Sequence, residues 1–179
     1  MCVLCDGGTF EDLFDGYTKL IDEHGFTMVG VFGGVRSWLY TIGLLATFGH
    51  PELVVTGLDA ESATGLVAGL VERIRRGESF DASSHETMFA ERPVRFASVH
   101  PTQWVHGRFN MWANYYGDLG ELPAAPEAVQ VLWANEFDIF PPDRDFCHVH
   151  RDCQPLLSAP VAHDVHESLR RRRRKKRAR

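Results

Sequence analysis

All four cysteines of this 179-residue chain lie near its ends, Cys2 and Cys5 at the start and Cys147 and Cys153 after the last predicted core segment. Domain termini commonly lie close together. Cys2-x2-Cys5 and the run Cys147-His148-Val149-His150-Arg151-Asp152-Cys153 therefore form one candidate site if the fold brings its ends into contact. Four soft donors, with His148 or His150 as substitutes, make the donor set of a closed tetrahedral zinc site. Such a site would fasten the termini across the domain and restrict the folds open to the chain. Neither spacing is a strong zinc motif, so unrelated reduced thiols stay open as an alternative, as does a redox pair.

Composition sets the class. A hydrophobic fraction of 44% with 12 Phe, 4 Trp and 4 Tyr belongs to a globular protein with one substantial core. No stretch approaches the roughly 20 apolar residues needed to span a membrane, and the start lacks a basic-then-apolar signal. The expectation is a cytoplasmic protein with reduced thiols and no membrane partner. The net charge of -5 conceals a division: nine of the last ten residues, Arg170–Arg179, are basic. The other 169 residues carry 10 Lys+Arg against 24 Asp+Glu, a net of -14. A disordered basic tail on an acidic body is expected, and contact with nucleic acid or another polyanion would have to run through that tail.

Periodicity orders the body. Phe10, Leu13, Phe14, Tyr17, Leu20 and Ile21 recur at helical spacing, with Thr9 and Asp12 placed as a capping box and Gly25 as the stop. Residues 26–32, 38–44, 53–58, 94–99 and 128–134 read as strands. Asp59 is the predicted N-cap of a second helix whose apolar face runs from Ala60 to Ile74 and which stops at Gly77. Residues 78–92 read as irregular, and 104–116 fits a helix or a strand. Helices and strands mix without a βα repeat, which predicts α+β: a single domain, a mixed or antiparallel sheet packed with two or three helices. The domain is expected over 1–157, with 158–179 as linker and tail.

Two clusters offer chemistry. The loop from Tyr40 to Glu52 gathers Tyr40, Thr41, His50 and Glu52, and a His and a Glu two residues apart fit acid/base work. The plain alternative is a loop whose polar groups cap neighbouring backbone. Trp104, Phe109, Trp112, Tyr115 and Tyr116, interleaved with Asn110 and Asn114, fit a ligand pocket or a packed core. Together they support an enzyme or small-molecule binder as an alternative to a zinc-stabilised interaction domain. If Met1 is removed, Cys2 would also be an N-terminal nucleophile. Class II glutamine amidotransferases share the Met-Cys start, but Asp6-Gly7-Gly8-Thr9 here leads into a helix.

Several segments together carry a family resemblance. They are Met1-Cys2-x-x-Cys5-Asp6, His24-Gly25-Phe26, Trp38-Leu39-Tyr40-Thr41-Ile42-Gly43-Leu44, His50-Pro51-Glu52-Leu53-Val54-Val55-Thr56-Gly57-Leu58, Phe109-Asn110-Met111-Trp112, Val129-Gln130-Val131-Leu132 and Gln154-Pro155-Leu156-Leu157. Over residues 1 to about 157 the chain resembles the bacterial domain of unknown function 4262. The resemblance implies a domain identity and no reaction.

Overall fold

Two long amphipathic helices flank a sheet on opposite faces, and each begins at a side chain that the sequence marks. The computed structural model describes residues 3–4, 6–32, 37–84, 87–89, 92–105, 109–120, 127–143, 145–146 and 154–161. Its elements run α1 (Phe10–His24), β1 (Thr27–Val31), β2 (Trp38–Ile42), α2 (Leu44–Phe48), β3 (Glu52–Thr56), α3 (Ala60–Arg75), β4 (Thr87–Phe89), β5 (Arg92–Ser98), α4 (Thr102–Val105), α5 (Asn110–Asp118) and β6 (Ala128–Trp133). At α1 the Thr9 hydroxyl accepts from Asp12 N at 3.1 Å, and Thr9 N donates back to Asp12 Oδ2 at 2.7 Å. Gly25 closes the helix at φ 80°. At α3 the Asp59 carboxylate accepts from Ser62 N at 2.9 Å. Each such cap contributes about 1 kcal/mol.

The six strands lie in the order β1-β2-β3-β6-β5-β4. All neighbours are antiparallel except the central pair, β3 and β6, which run parallel with Val54 opposite Gln130. The sheet is therefore mixed, and the fold is α+β in one domain. Side chains alternate between its faces. Leu39, Leu53, Val55, Val94, Phe96, Val129 and Val131 meet Leu66, Val67, Leu70 and Ile74 of α3 on one face. Val29, Tyr40, Ile42 and Val54 meet Phe14 of α1 and Trp112, Tyr115 and Tyr116 of α5 on the other. Val67 and Leu70 are fully buried, and each such side chain contributes about 1.5–3 kcal/mol.

Two local differences from the sequence expectation have physical causes. The strand predicted over 38–44 closes at Ile42, because Gly43 turns the chain at φ 108° and α2 starts there. The stretch 78–92 contains β4 at the sheet edge, a three-residue strand too short to signal its period. The ambiguous 104–116 segment resolves into α4 and α5.

The C-terminal segment is tied to β6 by two buried glutamines. Gln130 donates to Pro155 O at 2.9 Å and to Thr56 Oγ1 at 3.3 Å, and its Oε1 accepts from Leu157 N at 2.8 Å. Gln154 reads the backbone of Trp133, accepting from its N and donating to its O at 3.0 Å each. Leu157 thereby enters the cluster that holds Phe14 of α1. An unmade hydrogen bond at such a site costs about 1–3 kcal/mol.

Two glycines of α3 provide a paired test. A Cβ at Gly65 would meet no heavy atom within 4 Å, whereas one at Gly69 would overlap the Phe89 ring. Gly65→Ala should stabilise the fold by about 0.5–1 kcal/mol through helix propensity alone. Gly69→Ala should lose that gain and destabilise by about 1 kcal/mol net, since Phe89 must move. Denaturant unfolding of both variants checks the contrast; equal shifts of the same sign would contradict this packing.

Candidate functional site

The loop between β2 and β3 is organised around a buried carboxylate. Glu52 opens β3 and is 1% exposed. Its Oε2 accepts from Thr41 Oγ1 at 2.6 Å and from Leu44 N at 3.3 Å, and its Oε1 accepts from Gly43 N at 2.9 Å and Leu45 N at 3.5 Å. Thr41 Oγ1 in turn accepts from Leu53 N at 2.9 Å. Three successive backbone N–H groups and one hydroxyl thus converge on one anion, a backbone nest built from side chain and turn. Gly43 makes the nest possible: it holds φ 108°, and a Cβ there would crowd Gly25 O and Ile21. Burial pushes the Glu52 carboxyl upward, and the hydrogen bonds from Thr41, Gly43, Leu45 and Leu44 oppose that shift. Glu52 supplies the cap that α2 lacks from its own N-cap residue, Gly43.

His50 is spent in the same way on other partners. It is 3% exposed. Its Nδ1 lies 2.6 Å from Pro51 O, and its Nε2 accepts the backbone N–H of Phe80 at 3.0 Å. A neutral ring with its proton on Nδ1 satisfies both contacts, so the partners fix the tautomer. Burial lowers its pKa, with Pro51 O, Asp81 and the Phe80 backbone acting the other way. The ring packs edge-on against Phe80, which stacks on Phe96 at 4.8 Å. Tyr40 is buried on the opposite face of the sheet against Phe109, and burial pushes its phenol up despite backbone hydrogen bonding from Trp112 and Met111.

The aromatic group packs as a core. Trp104 stacks on Phe109 at 4.1 Å and meets Trp112 edge-on at 4.8 Å, and Trp112 contacts Tyr116 at 4.9 Å. Trp112 is buried, while Asn110 and Asn114 of the same helix are exposed. Trp112 lies with Tyr40 on the α1/α5 face and His50 with Phe80 on the α3 face, so these side chains do not share one cavity. Cys2, Cys5, Cys147 and Cys153, with His148 and His150, lie outside the described residues, as does the basic tail Arg170–Arg179. Among the described residues no group of three or more His, Cys, Asp or Glu is placed to hold a metal. Nor is any helix among them long and apolar enough to cross a membrane.

A concave site forms elsewhere, where the carboxyl ends of the parallel strands β3 and β6 meet. After β3 the chain passes through Leu58 into α3 on one face. After β6 it passes through a tight turn to Phe140, which packs with Leu132 and Ala134 on the other face. The two exits part and leave a cleft of about 650 Å³. Leu58 and Ser62, Gly65 and Leu66 of α3 form one wall, Phe89, Arg92, Pro93 and Val94 a second, and Trp133 to Glu136 the third. The position resembles the crevice that open α/β sheets use for ligands, outside the carboxyl ends of adjacent parallel strands. Its volume falls within the usual range for small-molecule sites, roughly 300–1,000 Å³.

The walls are set by packing and polar contacts. Trp133 Nε1 donates to Thr56 O at 2.8 Å, which fixes the indole. Phe89 leans on α3 where Gly69 has no side chain, and Gly65 leaves a notch one turn earlier. Asn135, 6% exposed, holds the turn after β6: its Oδ1 accepts from Phe137 N at 2.9 Å and Ile139 N at 3.0 Å. Arg92 Nη1 donates to Asn135 O at 3.5 Å. None of these residues was singled out from the sequence as a site. The nearest signal is Gly65 itself, a glycine in the middle of an otherwise periodic helix, which costs about 1 kcal/mol relative to alanine and asks for a reason.

A family model described as "Domain of unknown function (DUF4262)" matches residues 20–147, and the chain belongs to that family. The match contains every residue lining the cleft and, of the cysteines, Cys147 alone. No curated protein and no solved structure matches the chain.

The buried neutral His50 makes a pH prediction. Burial holds its folded pKa below the ordinary histidine value of about 6.5, so just below that pH the unfolded chain binds a proton that the folded chain refuses. The stability it confers is present above the unfolded pKa and is lost as pH falls toward the folded value, by at most about 1.4 kcal/mol per pH unit. Wild type minus His50→Ala stability, from denaturant melts between pH 7 and 5, should shrink on acidification. A difference that stays constant or grows would contradict the neutral assignment.

Proposed function

We propose that this protein is a binding domain for a small, largely apolar molecule held in the cleft between α3, β5 and the end of β6. The observation that carries the reading is the cleft's position at the carboxyl ends of the parallel β3–β6 pair, with half-buried Leu58, Phe89 and Trp133 turned into it. His50 and Glu52 have their polar atoms committed to backbone and Thr41, which leaves the Tyr40–Glu52 loop a structural part in this account. A neutral fluorescent probe such as N-phenylnaphthylamine should bind once per chain. Gly65→Leu, whose Cβ would meet no heavy atom within 4 Å and whose side chain would occupy the notch, should abolish that binding at unchanged or higher melting temperature. Probe binding that survives Gly65→Leu would overturn the assignment.

A second reading concerns the chain ends and rests on the charge division and the cysteine placement. In it, Arg170–Arg179 contacts a polyanion such as nucleic acid, with affinity that falls steeply as salt rises. Zinc held by Cys2, Cys5, Cys147 and either Cys153 or one of His148 and His150 joins the termini. Support comes from Phe14 and Leu157, which bring the two end segments into one cluster on one face of the sheet. Protein purified without a histidine tag should carry about one zinc per chain, lost with a large fall in melting temperature in Cys5→Ser. Deleting 170–179 should remove DNA binding and leave metal content unchanged. Metal-free protein of full stability, or undiminished DNA binding after the deletion, would refute the respective half.

A further inference from the structure

We infer that the cleft selects a monocarboxylate carried on a planar apolar body. This deepens the small-molecule reading above and rests on it. The juxtaposition that carries it is Arg92 beside Asn135 at the cleft mouth, next to the apolar walls of Trp133 and Phe89.

Two polar groups of this mouth have N–H donors to spare. Arg92 is exposed at the start of β5, and one guanidinium nitrogen reaches Asn135 O at 3.5 Å. Its other N–H groups bond to no described residue. The Asn135 side chain is nine-tenths buried, and its oxygen is consumed by the N–H groups of Phe137 and Ile139. Those two donors settle which end of the amide is oxygen. The Nδ2 of this cleft-lining residue is then a donor without a partner among the described residues. An uncommitted amide donor on a cleft-lining residue is available to an arriving acceptor.

Two donor groups on linked residues, one of them a planar fork, match an acceptor with two coplanar oxygens. The alternatives fit less well. Ser62, which also lines the cleft, spends its hydroxyl on Asp59 at 2.8 Å, and Asp59 already occupies the start of α3. No anion site is left at that helix end. Glu136 lines the same rim, and its negative charge works against a ligand with two or more charges, such as a phosphate or a dicarboxylate. The fixed indole of Trp133 and the Phe89 ring offer flat apolar surface to the rest of the molecule, which favours an aromatic body.

The test is displacement of N-phenylnaphthylamine from the full-length protein by naphthylacetate and by its uncharged counterpart, naphthylacetamide. The acid should compete at least tenfold more tightly than the amide in wild type. Arg92→Gln should bring the two within twofold of each other by weakening the acid alone. Equal competition by acid and amide in wild type, or a preference for the acid that survives Arg92→Gln, overturns the carboxylate assignment while leaving the cleft a binding site. Failure of the probe itself to bind overturns the underlying reading as well.

Discussion

The parallel pairing of β3 with β6 is the contact on which the remaining architecture depends. Among the described strands it is the one parallel join, and it sets two strands side by side with their carboxyl ends at the same edge. From there the chain must leave twice, and it leaves to opposite faces, into α3 on one side and toward Phe140 on the other. The sheet separates the apolar interior, with one cluster under α3 and two on the opposite face, the Phe140 cluster among them. Both exits, through Leu58 and through Trp133 to Glu136, line the cleft. Sheet topology and candidate site are thus consequences of one pairing.

The pairing is held by polar side chains as much as by apolar ones. Glu52 begins β3 and gathers the N–H groups of the preceding turn. Gln130, opposite Val54, bridges Thr56 to the C-terminal segment, and Gln154 repeats that tie at Trp133. All three are at most 1% exposed. Apolar burial alone would leave register weakly defined among Val- and Leu-rich strands, since many offsets bury similar area. A buried carboxylate or amide has few geometries that satisfy it, and a slip by one residue would strand it at a cost of about 1–3 kcal/mol or more. The same logic explains why His50 and Glu52 look like acid/base residues in sequence. Their residue types suit catalysis, and in the fold those types do backbone work.

Much of the fold was legible in the sequence because its signals are local. Thr9 with Asp12, Gly25 and Asp59 act at their own positions, and the apolar face of α3 repeats over four turns. The α2 turn was not legible: its cap comes from Glu52, seven to nine residues downstream, so no capping residue precedes it. The edge strand β4 was hidden by its three-residue length. The cleft was invisible for a different reason. Leu58, Gly65, Phe89, Arg92 and Trp133 belong to four separate elements or their flanks, and the β3–β6, β5–β6 and β4–β5 pairings bring them together. The aromatic segment 104–116 drew attention through density. Density proved to be packing, with each ring against another ring.

The central claim is that the crevice beyond β3 and β6 receives a small apolar molecule. Backbone and side-chain amide NMR shifts during titration with naphthylacetamide locate such a molecule independently of its charge. The account predicts that the largest shifts fall on Leu58, Gly65, the Trp133 indole N–H and the Asn135 side-chain amide, with Trp104, Trp112 and His50 unmoved. Shifts centred instead on Phe10, Asn114 and Asp118 at the α1–α5 groove, or on the aromatic core around Trp112, would contradict it.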